Sequence, residues 1–270
     1  RIRMYKDVVW LSLTDAPARG YWDQAMLADI FVNKEHHTEI GDLKEAIVVI
    51  PTPDQNADDI NQELAKLDNC VVICTSDEWH NFDISKLDHP NMELFSMYAY
   101  DTDTDVMWLP IGYTLHGRAK GYLDRDKDIY FAGQVNHKKR EDMVKKLKKL
   151  GNFVLEQSGG FAQGLGHEDY VNGLKSSKVI PAPSGNISPD SFRLYEALEN
   201  GAVPIGDDPS FFTKIFGAYP FPAVNSPDQW PTYAEEAVSL YPALNNRCSS
   251  WWQSFKCNLY MLFNPPMDRD

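Results

Sequence analysis

Short apolar runs alternate with polar, helix-like stretches along most of the chain. Runs rich in β-branched residues predict buried strands and lie at 7–13, 45–50, 70–74 and 128–131. The stretches 58–67 and 137–150 repeat apolar residues at helical spacing and predict amphipathic helices. Strands that alternate with helices indicate a parallel α/β fold, in which ligands bind beyond the carboxyl ends of the strands. The loops expected at that edge in the first half are 14–23, 51–57 and 75–80.

A Gly-rich and charged connector at 110–127 interrupts this alternation and has no apolar periodicity. It predicts a boundary between two domains of Rossmann-like construction, which the length of 270 residues accommodates. We expect a first domain at 1–118, a second at 119–246 and a C-terminal helical segment at 247–270.

The stretch 178–205 combines an apolar strand, the turn Ser184-Gly185-Asn186 and a helix predicted to start at Ser188-Pro189 and to stop at Gly201. A small-residue turn before a helix N-terminus offers free backbone N–H groups and a positive dipole, which suit a phosphate group. Glu196, further along the helix, could accept two hydrogen bonds from a ribose diol.

The same stretch resembles the nucleotide-sugar signature of exostosin-like glycosyltransferases of the GT-B fold. The matching residues are Ser191, Arg193, Glu196, Ala197, Leu198, Gly201, Pro204 and Ile205. An amphipathic helix of any α/β protein is the alternative interpretation. It explains Leu198 and Gly201, but not Ser191, Arg193 and Glu196 together.

The resemblance implies two Rossmann-like domains that face each other across a cleft, with a C-terminal helix that crosses back to the first domain. A plain core helix of the second domain is the alternative for that last helix. The implied activity is sugar transfer from a nucleoside-diphosphate sugar, with a UDP-sugar favoured, to a hydroxyl acceptor. The second domain would hold the donor, and neither a metal nor another cofactor is expected.

The segment FAGQVNHKKRE and the loop GGFAQGL also resemble stretches of this family, although a mobile surface loop without a ligand is the alternative for GGFAQGL. Together with the motif, the resemblance implies a set of donor-binding residues. They are Gly133, Gln134, Arg140, Phe161, Gln163, Ser184, Gly185, Ser191, Phe192, Arg193 and Glu196. Arg140 lies on the inward stripe of the helix at 137–150, where a charge needs an anionic partner. That partner is either the donor diphosphate or a carboxylate, Glu141 or Glu196.

The base that activates the acceptor is expected among carboxylates that follow strands of the first domain. Asp15 follows the first strand, Asp23 begins the next helix, and Asp77 and Glu78 follow the third strand. Asp15 is the first choice, and Asp23 and Glu78 are its rivals. Each of these carboxylates could instead cap a helix.

Composition narrows the classes of function. The net charge of −13 argues against general adsorption to nucleic acid, although a run of lysines at 138–149 could steer a polyanionic acceptor such as hydroxylated phage DNA. A glycan or small-molecule acceptor and a non-catalytic sugar-nucleotide or glycan-binding module also stay open. Four cysteines without metal-ligand spacing indicate a cytoplasm-like compartment, which is the host cytoplasm if a phage encodes the protein. No apolar run reaches the length of a membrane span.

Motifs of other enzyme classes are absent from the sequence. Dinucleotide-binding, P-loop and serine-hydrolase patterns do not occur. Asp101, Asp103 and Asp105 form a DTDTD run, but this run lacks the glycine-containing spacing of a calcium loop. We therefore predict no metal site there.

Overall fold

A computed structural model describes residues 4–14, 22–53, 55–98, 105–115, 117–118, 121, 123–160 and 163–266. The chain divides into two compact units, one formed by Arg1–Ile111 with Lys256–Asp270 and the other by Gly112–Phe255. Each unit has its own parallel sheet, so the predicted α/β class with two separate sheets is confirmed. The domain limits expected at 118/119 and 246/247 remain predictions. The limits of the two compact units lie at 111/112 and 255/256.

Unit 1 contains a six-stranded sheet in the order β2-β1-β3-β4-β5-β6. Its strands are β1 (Asp7–Trp10), β2 (Glu35–His37), β3 (Glu45–Pro51), β4 (Asn69–Thr75), β5 (Met92–Ser96) and β6 (Met107–Trp108). Its helices are α1 (Ala25–Ile30) and α2 (Ala57–Leu64), with short 3-10 turns at Trp22–Gln24 and Ile84–Lys86. β3 and β4 are continuous apolar runs because both faces of these central strands are buried.

Unit 2 contains a four-stranded sheet in the order β10-β9-β7-β8. Its strands are β7 (Lys127–Gln134), β8 (Phe153–Ser158), β9 (Ser177–Pro181) and β10 (Val203–Ile205). Its helices are α3 (Lys138–Leu147), α4 (His167–Lys175), α5 (Phe192–Glu199), α6 (Pro209–Phe216) and α7 (Trp230–Ser239), with a 3-10 turn at Pro227–Gln229. The ladders between these strands are parallel, so the carboxyl ends of β7 and β9 lie at one edge.

The last helix, α8 (Tyr241–Phe263), belongs to both units. In unit 2, the Trp252 ring packs against Tyr195 with centroids 5.6 Å apart. In unit 1, the Phe263 ring meets Phe31 at 5.4 Å and Phe95 at 5.3 Å. The helix therefore contributes to the core of unit 1 as the resemblance implies, while its first half serves unit 2.

The predicted start of α5 at Ser188-Pro189 is wrong. The helix begins at Phe192, with Ser191 in the extended conformation at its N-cap. The preceding residues form their own hydrogen-bonded turn, in which Ser188 Oγ accepts the Asp190 N–H at 2.9 Å and Asp190 Oδ1 accepts the Ser191 N–H at 3.1 Å. The predicted stop is correct, since Gly201 follows the helix at a φ of 70°, which favours glycine.

Candidate functional site

Glu196 lies fully buried in the middle of α5. Its Oε1 accepts a hydrogen bond from Thr114 Oγ1 at 2.5 Å, and its Oε2 accepts one from the Tyr170 hydroxyl at 2.5 Å. Burial raises the pKa of this carboxyl, and the two hydroxyl donors and the nearby charge of Arg193 oppose the rise. Both carboxylate oxygens of the residue predicted to bind the ribose are therefore engaged by side chains of unit 2.

Arg193 lies one turn earlier on α5 and is also buried. Its Nε donates to the carbonyl of Ala132 at 3.1 Å, near the end of β7. The guanidinium carbon stands 5.2 Å from the Phe131 ring centroid and 5.0 Å from that of Phe192. A Cβ added to Gly133 would lie 2.1 Å from Arg193 Nη2, so this glycine makes room for the guanidinium.

Arg140 is buried in the first turn of α3. Its Nη1 donates to the carbonyl of Gln134 at 3.4 Å, and its Nη2 donates to the carbonyl of Ser184 at 3.2 Å. Arg140 thus joins the end of β7 to the turn after β9, the two loops that are predicted to face the donor. These hydrogen bonds go to backbone carbonyls, and not to the carboxylates of Glu141 or Glu196 that the sequence offered as partners.

Ser184 is held by a carboxylate that sequence reasoning missed. The Ser184 N–H and hydroxyl both donate to Asp207 Oδ1, at 2.9 and 2.6 Å, and Lys139 Nζ lies 3.3 Å from the same hydroxyl. The Ser184 N–H is therefore engaged by Asp207, and a phosphate group would have to replace this carboxylate to reach it. A signal for Asp207 existed, because it follows the end of β10 after one residue and parallel neighbours end at the same edge.

His137 joins the same cluster from the N-cap of α3. Burial and the charge of Arg140 lower its pKa, so its imidazole is neutral near pH 7. The cluster that surrounds Ser184 thus combines two fixed cations, one neutral imidazole and one carboxylate. An anion that displaced Asp207 from Ser184 would meet hydrogen-bond donors from two chain segments, the start of α3 and the turn at Ser184.

The remaining donor candidates are less tightly placed. Gln134 is half-buried and its Oε1 accepts from Asn136 at 3.0 Å. Gln163 is exposed and its side chain lies against the backbone of Gly160. Ser191 is buried, Phe192 and Gly185 are half-buried, and Phe161 lies outside the described residues.

Asp23 is a buried carboxylate of unit 1 at the carboxyl edge of its sheet. Its Oδ1 accepts from Ser76 Oγ at 2.8 Å, just after β4, and its Oδ2 accepts from the Tyr98 hydroxyl at 3.3 Å, just after β5. Burial raises its pKa to about 6. A carboxylate with such a pKa is ionised at neutral pH and is a stronger base than an exposed one.

The rival carboxylates are placed differently. Asp77 accepts the N–H groups of Asn81 at 2.9 Å and Phe82 at 2.8 Å, so it closes the loop after β4. The 3-10 turn that follows, Ile84–Lys86, is capped by Asp83 and not by Asp77. Glu78 is half-buried in the same loop. Asp15, the first choice from the sequence, lies outside the described residues.

The loop after β4 has an unusual backbone. Ser76 and His80 adopt φ values of 71° and 54°, a left-handed region that costs non-glycine residues about 1 kcal/mol or more. The loop borders an open pocket, which Thr52, His80, Phe82 and Tyr98 help to line. The Tyr98 hydroxyl connects this pocket to the Asp23 carboxylate.

Metal-ligand geometry occurs at the other end of the first sheet. Ligand atoms of Asp7, Glu35 and His37 lie within 4.8 Å of one another, at the amino-terminal part of β1 and on β2. Asp105 is exposed, while Asp101 and Asp103 lie outside the described residues. Within the described part of the chain, no helix is both long and apolar enough to cross a membrane.

Neither a protein-family model nor a curated protein sequence matches this chain. Its fold is similar to the crystal structure of AviGT4, a glycosyltransferase involved in avilamycin A biosynthesis, with a TM-score of 0.55, 14% identity and coverage of 95% of this chain and 98% of that one. It is also similar to the DNA-modifying enzyme β-glucosyltransferase, solved with and without its substrate uridine diphosphoglucose, with a TM-score of 0.50, 11% identity and coverage of 94% and 96%. These similarities confirm the predicted α/β class of GT-B type. They do not bear on the exostosin-like resemblance, which stays a prediction.

Proposed function

We propose that this protein is a glycosyltransferase that moves a sugar from a nucleoside-diphosphate sugar to a hydroxyl acceptor. The observation that carries the proposal is the burial of two opposite charges, Arg193 and Glu196, on one helix beside the carboxyl end of β7. Burying a charge costs several kcal/mol unless the site compensates it, so an ordinary amphipathic helix would not keep both. Both charges are members of the exostosin-like motif, and both fold relatives are glycosyltransferases.

The donor in this proposal binds to unit 2. Arg193, Arg140 and the Ser184-Gly185 turn hold the diphosphate, since guanidinium groups and backbone N–H groups suit phosphate oxygens. Glu196 accepts hydrogen bonds from the ribose. UDP is the favoured nucleotide, because one fold relative, the DNA-modifying β-glucosyltransferase, has uridine diphosphoglucose as its substrate.

Cations of the protein, with no bound metal, neutralise the leaving diphosphate in this proposal. Arg140 and Arg193 are buried and stay charged at any physiological pH, which suits them to that task. Cys70, Cys74, Cys248 and Cys257 are free thiols, in keeping with action in a reducing compartment such as the cytoplasm.

Asp23 is our choice for the catalytic base. Its raised pKa and its contact with Tyr98, which lines the pocket of unit 1, favour it over Glu78. This choice differs from the sequence-based preference for Asp15, which stays a prediction. The acceptor hydroxyl would then approach from the pocket side.

Calorimetry with UDP and UDP-glucose tests the donor site. Glu196→Gln keeps the size of the side chain and removes its charge, so we expect binding to weaken about tenfold or more, as for the loss of a hydrogen bond to a charged group. Glu235→Gln, on the exposed face of α7, is the matched control and should bind as the parent does. Equal affinity of the Glu196→Gln variant would reject the assignment, and binding without turnover or donor hydrolysis would identify a non-catalytic module.

Glycosylation of hydroxylated DNA is a second candidate function, because one fold relative is a DNA-modifying enzyme. The lysines of α3 would have to guide the DNA. Two of them already form ion pairs, Lys138 with Asp142 and Lys146 with Asp228, which reduces the positive charge of that face. A salt-dependent gel shift of DNA that is lost on neutralising Lys138, Lys139, Lys145 and Lys146 would favour this candidate. A glycan or other small acceptor predicts no such shift.

A further inference from the structure

The carboxylate of Glu196 is hydrogen-bonded by two hydroxyl groups of the protein itself. Each carboxylate oxygen accepts from one hydroxyl group, Oε1 from Thr114 and Oε2 from Tyr170. A ribose diol would offer the same chemistry, two hydroxyl donors to one carboxylate. The hydroxyl groups of the protein therefore make the same kind of hydrogen bond to Glu196 that the ribose hydroxyls of a donor would make.

Thr114 reaches Glu196 from the segment 112–118, whose described residues form neither helix nor strand. Gly117 of this segment lies so close that an added Cβ would stand 2.1 Å from Glu196 Oε1. The carbonyl of Gly117 also accepts from Asn200 Nδ2 at 2.6 Å, at the end of α5. Thr114 and Gly117 thus both lie against the carboxylate, and Gly117 is also fastened to the end of α5.

The two hydroxyl donors differ in how firmly the fold holds them. Tyr170 is part of α4 and packs against a core cluster that includes Tyr130 and Leu174. Thr114 sits in a turn closed by the Gly117 N–H and the Thr114 carbonyl at 3.1 Å. A turn outside regular structure leaves its site at lower cost than a residue within a packed helix. Thr114 is therefore the partner that an incoming ligand would replace.

We propose that the Thr114 hydroxyl holds the place of a ribose hydroxyl at Glu196, and that Tyr170 is the positioning residue that orients the carboxylate for either occupant. This inference rests on the proposed function, since it takes Glu196 as the ribose ligand. Donor binding then requires the segment 112–118 to release Glu196. The measured affinity is then the intrinsic affinity multiplied by the fraction of molecules in which Thr114 has released Glu196.

Three variants test the proposal by UDP calorimetry and by thermal unfolding of the free protein. Thr114→Val removes the hydroxyl and keeps the shape, so it should tighten UDP binding about tenfold while lowering the melting temperature. Thr114→Ser keeps the hydroxyl and should behave as the parent. Tyr170→Phe should weaken UDP binding, and it should also reduce the preference for UDP over 2′-deoxy-UDP.

The direction in which Thr114→Val changes the affinity for UDP distinguishes the proposed role of Thr114 from a merely structural one. A structural hydrogen bond predicts that Thr114→Val lowers both the melting temperature and the affinity for UDP. If the parent protein binds UDP but Thr114→Val binds it equally or less tightly, the placeholder role is overturned and the proposed function stands. If neither the parent nor any variant binds a nucleotide, the proposed function fails, and this inference fails with it.

Discussion

Among single residues, Asp23 has the property that is most directly measurable, a pKa raised by burial to about 6 from its usual 3.8. Between these two values the folded protein binds the proton and the unfolded chain does not, so stability falls as the pH rises through this window. The unfolding free energy of the parent relative to Asp23→Asn should therefore drop by about 3 kcal/mol between about pH 4 and 7. Urea titrations at several pH values measure this difference, and a constant difference would contradict the raised pKa.

The Asp23 carboxylate also leads to a prediction about turnover. A base must be ionised, so kcat/KM should rise with pH and level off above about pH 6, the value to which burial raises the pKa. Asp23→Asn should cut kcat about 100-fold or more with donor affinity preserved. Glu78→Gln is the matched comparison from the neighbouring loop and should keep near-normal turnover. A large loss in Glu78→Gln with none in Asp23→Asn would transfer the role to Glu78.

Individual site residues could be predicted from the sequence in two cases. Either the motif itself contains the residue, or the residue stands out as a charge on the apolar face of a predicted helix. Arg193 and Glu196 follow from their spacing, and Arg140 from its place on the inward stripe of a helix. Their partners were missed, because Thr114 is 82 positions from Glu196 and Tyr170 is 26 positions away. Hydrogen bonds between such distant segments depend on the three-dimensional packing, which no local pattern encodes.

Among the elements, the end of β7 is the one on which the donor site depends most. Gly133 adopts a φ of 146°, and a Cβ there would lie 2.1 Å from Arg193 Nη2. Gly133→Ala should therefore displace the guanidinium, weaken nucleotide binding and lower stability by about 1 to 3 kcal/mol.

Gly151 offers a control of the same type. It is exposed, follows α3, and a Cβ there would meet nothing within 4 Å. Gly151→Ala should leave nucleotide binding unchanged and shift stability by less than about 1 kcal/mol. Calorimetry and thermal unfolding of both variants make the comparison, and equal behaviour of the two would show that Gly133 does not shape the site.

Predictability also differs between elements. The central strands β3 and β4 are evident in the sequence because burial on both faces makes them continuous apolar runs. The strand β2, with the sequence Glu-His-His, was missed because it lies at the edge of the sheet beside β1 and its polar side chains stay partly exposed. Helix α6 was missed as well, because its helix-starting signal, Asp208 followed by Pro209, lies among other prolines. Elements in the core can thus be predicted from their apolar pattern, whereas edge strands and helices indicated mainly by their caps are missed.

At the scale of the whole molecule, α8 is the element that both units share. It begins at Tyr241, before the predicted segment at 247–270, because the apolar stripe that indicates the helix begins only at Trp251. The first part of the helix is anchored in unit 2, where Trp252 Nε1 donates to Glu199 Oε1 at 2.8 Å. The last part is anchored in unit 1, where Asn264 Nδ2 donates to the carbonyl of Ile30 at 3.1 Å. Residues at the C-terminal end of the chain are therefore needed to complete unit 1.

The Phe263 side chain provides the test of that requirement. It is fully buried between Phe31 and Phe95 in unit 1. Phe263→Ala removes a large aromatic group and leaves a cavity, so it should lower the unfolding free energy by about 3 to 5 kcal/mol. Leu262→Ala, at a neighbouring position with 38% exposure, should cost much less. Thermal and urea unfolding measure both variants. Equal losses would mean that the end of α8 does not contribute to the core of unit 1.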